Sequence, residues 1–66
     1  MVILVNGKSE EIEASVLLDL LRAKQIEPQM VAVEVNDTLI ERDRLEHTVL
    51  QNGDRVEFLF YMGGGQ

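Results

Sequence analysis

Val2-Ile3-Leu4-Val5 is an unbroken apolar run, the pattern of a strand covered on both faces or placed centrally in a sheet. Asn6-Gly7 follows, and this dipeptide favours a type I′ hairpin because both central residues need positive φ. Lys8 to Glu13 then reads as a mostly polar return strand with Ile12 facing inward. Ser15 stands where a hydroxyl can cap a helix, and Asp19 suits the positive end of the helix dipole. Leu17, Leu20, Leu21 and Lys24 recur at helical spacing, which predicts an amphipathic helix of about three turns closing before Pro28. Leu18 falls beside that stripe, partly exposed.

Val31-Ala32-Val33-Glu34-Val35 alternates as a half-buried strand, with its three valines on one face. Asn36-Asp37 makes a turn into a short strand, Thr38-Leu39-Ile40. Asp43 and Glu46 have the spacing of a weak capping box for one helical turn. Asn52-Gly53-Asp54 is a further tight turn, and Arg55 to Met62 is the last strand. There Val56, Phe58, Phe60 and Met62 share one face, and Glu57, Leu59 and Tyr61 the other. The order of elements predicts an α+β domain with one helix on one face of a mixed sheet. Inserting the last strand beside the first, in parallel, would explain why both are so apolar. That is the β-grasp, ubiquitin-like arrangement, expected over residues 1–62, with residues 63–66 as a flexible tail.

Composition narrows the function. Sixty-six residues, 45% hydrophobic and 27% charged, make one small globular domain near the lower size for an unaided core. A net charge of −6 argues against nucleic acid and anionic membrane as partners and for a basic protein surface. Without cysteine there is neither a disulfide nor a thiolate metal site. No apolar run approaches the roughly 20 residues of a membrane helix, and Met1 to Leu4 lacks the basic flank of a signal peptide. A cytoplasmic protein, monomeric on its own, is the expectation.

The candidate chemistry lies at the C-terminus, where Phe58-Leu59-Phe60-Tyr61-Met62 runs into Gly63-Gly64-Gly65 and then Gln66. Glycines have no Cβ, so such a tail can thread a narrow cleft and present a carboxylate there. A carboxylate is a poor acyl electrophile until adenylation gives it a good leaving group, which a sulfur nucleophile can displace. The catalyst must enclose the developing oxyanion and exclude water, and side chains beside the reacting carbon would obstruct it. No catalytic residue and no metal site is expected elsewhere. His47 is a lone histidine in a charged segment, strand alternation splits Glu10, Glu11 and Glu13 between two faces, and Ser9 and Ser15 lack a partnered base. Three glycines with no helix after them are not a phosphate loop. Leu59 and Tyr61 should lie exposed on the open sheet face, joined by Val2 or Leu4. With Met62, they form the candidate docking surface beside the tail.

The Val-Asn-Gly start, the Val-Ala-Val-Glu-Val-Asn block ending at Asn36, Arg42, Asn52-Gly53-Asp54 and the glycine tail resemble the ThiS family of thiamine biosynthesis across the whole chain. That resemblance implies a sulfur carrier rather than an enzyme. A ThiF-type adenylyltransferase would use ATP to activate the terminal glycine, Gly65 or alternatively Gly64, with Gly63 and Gly64 giving access. Conversion to a thiocarboxylate would follow, and a thiazole synthase would take the sulfur; the chain itself would bind no cofactor. Two readings stay open beside it, a molybdopterin-synthase-type carrier and a ubiquitin-like protein modifier. A third is a plain interaction module with an inert glycine end. The chain departs from the family pattern at Glu41, where many relatives have proline, and at Gln66, where a terminal glycine is expected. Gln66 could be trimmed away, be an added residue, or mark a chain not charged by the usual route.

Overall fold

The computed structural model describes residues 1–62, so the predicted glycine tail lies outside the described residues. Five strands form one sheet in the order β2-β1-β5-β3-β4: β1 Val2–Val5, β2 Lys8–Glu11, β3 Val31–Val35, β4 Thr38–Ile40 and β5 Arg55–Phe60. β1 and β2 form an antiparallel hairpin, as do β3 and β4, while β5 runs parallel to β1 and antiparallel to β3. One helix, α1 (Leu17–Ala23), packs on one face. This is the β-grasp arrangement read from the sequence, including the parallel pairing of first and last strands.

Local chemistry explains the turns. Asn6 and Gly7 have φ of 49° and 84°, and Asn36 and Asp37 have φ of 51° and 72°, as type I′ hairpins require. Helix α1 ends where Gln25 takes φ of 60°. The Ile26 N–H then bonds the Leu21 carbonyl, and the Gln25 N–H bonds that of Arg22. These two bonds form a Schellman closure. The core under the helix joins Ile3, Val5, Ile12, Leu17, Leu20, Leu21, Val31, Val33, Leu45, Leu50, Val56 and Phe58.

Several local expectations are corrected. Ser15 does not cap the helix: Val16 occupies the N-cap position without a side-chain bond. The helix start is held by backbone instead, with Leu17 N–H donating to the Thr48 carbonyl and Leu50 N–H to that of Ser15. The helix has seven residues, two turns rather than three. Asp43 and Glu46 form no capping box; Arg42–His47 is a 3-10 helix with no side-chain cap. Strand β1 is covered on one face only, since Ile3 and Val5 are buried while Val2 and Leu4 are exposed. Strand β2 ends at Glu11 and β5 at Phe60, short of the predicted Glu13 and Met62.

Candidate functional site

The strand that leads to the glycines is the middle one of the sheet. Strand β5 is bonded on one side to β1 and on the other to β3, so the chain leaves the fold from the centre of the sheet. Two side chains reinforce it. The Asn6 Oδ1 accepts the Phe58 N–H at 2.8 Å, and the Asn36 Oδ1 accepts the Arg55 N–H at 3.0 Å. Beyond β5, the Tyr61 N–H donates to the Met30 carbonyl at 3.1 Å. Gly63, Gly64 and Gly65 follow outside the described residues.

Around this exit the surface is apolar. Leu59, Phe60, Tyr61 and Met62 are 51%, 56%, 59% and 92% exposed, and Met30 and Leu39 are exposed nearby. On the open face Leu59 stands opposite Ala32. Tyr61 borders a cavity of about 170 Å³ shared with Pro28, Ala32, Leu39, Arg42 and Leu45. The exposure expected for Leu59 and Tyr61 is thus present, and Met62 is exposed with them.

Alternation sets Phe60 with Val56 and Phe58 on the face that the helix covers, yet Phe60 is exposed. Phe60 does sit on the helix side, opposite the buried Val31. The helix does not reach it: seven residues make about 10 Å of helix, whereas six strand residues span about 20 Å. Strict alternation places Phe60 on the correct face but carries no information about helix length. Val2 and Leu4 share the open face without joining the apolar exit. Leu4 pairs with Arg55, four residues from Leu59 along β5, or about 13 Å.

The residues set aside on chemical grounds have structural partners or face solvent. Glu10 bonds Lys24 Nζ at 2.8 Å, and Glu11 bonds the Met1 amino group at 3.0 Å. Exposed His47 lies against Glu46 at 3.2 Å. Among the described residues, no three His, Cys, Asp or Glu side chains gather to hold a metal ion, and no helix is long and apolar enough to cross a membrane.

Known proteins share this architecture and sequence. The crystal structure of a thiamine biosynthesis protein (ThiS) from Geobacter metallireducens matches with a TM-score of 0.84 and 36% identity, covering 98% of this chain and 100% of that one. A solution structure of a thiamine biosynthesis protein from the same organism matches at 0.80 and 36%, covering 100% and 90%. A Magnetococcus marinus protein named thiazole synthase is 37% identical over 67 residues; the match takes in 100% of this chain, which spans only 21% of that relative. The model of the ThiS family matches residues 3–65. With both sequence and topology shared over nearly its whole length, the chain belongs to the ThiS family.

Proposed function

We propose that this protein is a sulfur carrier of thiazole synthesis, a protein cosubstrate rather than an enzyme, charged at the carboxylate that Gly65 gains once water cleaves its peptide bond to Gln66. An oxygen of that carboxylate attacks the α-phosphate of ATP in a ThiF-type adenylyltransferase, releasing pyrophosphate and forming an acyl adenylate. A sulfide-level nucleophile adds to the activated carbonyl, AMP leaves, and a thiocarboxylate remains. A thiazole synthase then consumes the sulfur and returns the carboxylate. The chain holds no cofactor in this cycle; ATP belongs to the activating enzyme. Leu59, Tyr61 and Met62 dock that enzyme, while Gly63 and Gly64 pass through its cleft.

The observation that carries this reading is the apolar rim at the end of the central strand. Strand β5 leads to the exposed Tyr61 and Met62 beside Leu59 and Phe60, so a partner gripping this rim would hold the chain just before its glycines. Such a grip matters because holding reactants together accounts for several kcal/mol of a barrier, on the order of 7–11 at best. Family membership favours the thiamine pathway over a molybdopterin-type carrier or a protein modifier. The similarity to part of a protein named thiazole synthase supports that enzyme as the acceptor.

Intact-mass spectrometry tests the proposal. After incubation with a ThiF-type enzyme, ATP and sulfide, the chain ending at Gly65 should gain the mass of one oxygen-to-sulfur exchange, localised to Gly65. A chain that remains unmodified, or that appears instead in isopeptide linkage to lysines, would overturn it.

A further inference from the structure

Glu34 and Glu57 stand directly opposite each other on β3 and β5, on the open face of the sheet. Opposed residues have Cβ atoms about 5 Å apart, where like charges weaken strand pairing. Among the described residues neither carboxylate has an ion-pair partner. All six basic residues of the chain are described. Arg55, two residues from Glu57 on the same face, turns its guanidinium to Asp37 at 3.3 Å instead. The repulsion is not relieved within the chain.

The surroundings indicate what relieves it. On the same face Leu59 stands opposite Ala32, and Leu39 opposite Glu34. The acids are therefore bordered by exposed apolar side chains, Leu59 and Leu39. The small Ala32 beside them leaves room above the sheet. We infer that this face receives a protein surface that places an arginine between Glu34 and Glu57 while its apolar residues cover Leu59, Leu39 and Tyr61. A guanidinium offers five donors in a planar fork, enough for two carboxylates, and its aliphatic stem can lie over Ala32. A lysine ammonium is a compact point charge without that fork. The net charge of −6 draws such a partner in. The inference rests on the carrier reading, because the partner is the activating enzyme.

Titration calorimetry with the ThiF-type enzyme, at low and high salt, tests it on the wild-type chain, Glu34→Gln, Glu57→Gln and the double variant, with thermal melts alongside. The double variant should melt higher, by on the order of 1–5 °C, since a repulsion is removed. It should nevertheless bind about tenfold more weakly, with a shallower salt dependence. A merely structural pair would not move stability and affinity in opposite directions. If the wild-type chain binds and the double variant binds equally well, this inference falls and the carrier reading stands. A lower melting temperature would remove its premise of repulsion. If the wild-type chain itself does not bind, the carrier reading falls and takes this inference with it.

Discussion

Asn6 and Asn36 each hold a left-handed backbone in a hairpin, and each also turns its side-chain amide onto β5. The positive φ was legible from Asn-Gly and Asn-Asp, because few other residues adopt it cheaply. The clamping bonds were not, since they join residues 52 and 19 positions apart. Asn6→Gly separates the two roles: glycine keeps the backbone conformation and removes the amide. The part-buried Phe58 N–H then loses its acceptor, and stability should fall by about 1–3 kcal/mol in urea denaturation. Asn36→Gly should cost less, because its bonds lie in an exposed setting. An unchanged midpoint for Asn6→Gly would show that the amide adds nothing to the anchoring of β5.

At the scale of elements, α1 and the outer end of β5 explain each other. The apolar stripe of Leu17, Leu20 and Leu21 was readable, and all three are buried. Helix length was not, because Gln25 takes a left-handed φ of 60° and closes the helix ahead of Pro28. A seven-residue helix is marginal by itself and depends on this packing. Its shortness leaves Phe60 uncovered, so both faces of the last strand are apolar and exposed at the exit. Replacing Leu59 and Tyr61 together by Asp should change stability by no more than about 1 kcal/mol, as for exposed positions generally. The same variant should bind the activating enzyme about tenfold more weakly or worse, because buried aromatic and aliphatic anchors dominate interfaces. Calorimetry alongside thermal melts checks both halves. An intact fold with unchanged affinity would remove these residues from the docking surface.

For the whole molecule, the sheet order was legible from the apolar character of the first and last strands, although the reason was only half right. Strand β5 is central, but β1 buries only Ile3 and Val5, and its continuous apolar run leaves Val2 and Leu4 exposed. The fold thus survives a misjudged face, because parallel pairing is a backbone matter set by where β5 can enter. The proposed reactive end follows from chemistry rather than from pattern. Adenylation needs a free carboxylate at the atom that later bears sulfur, in a cleft too tight for a side chain at that carbon. The family match runs to Gly65 and leaves out Gln66. A chain ending at Gly65 should therefore support ATP–pyrophosphate exchange with the activating enzyme, and the chain bearing Gln66 should support it at least about tenfold more slowly. Gly64→Val in the Gly65-ending chain should suppress charging to a similar degree while leaving the melting temperature unchanged, as thermal melts would check. Equal exchange by the two chains, with sulfur found on Gln66 by mass spectrometry, would show that the site does not require glycine at the reacting carbon.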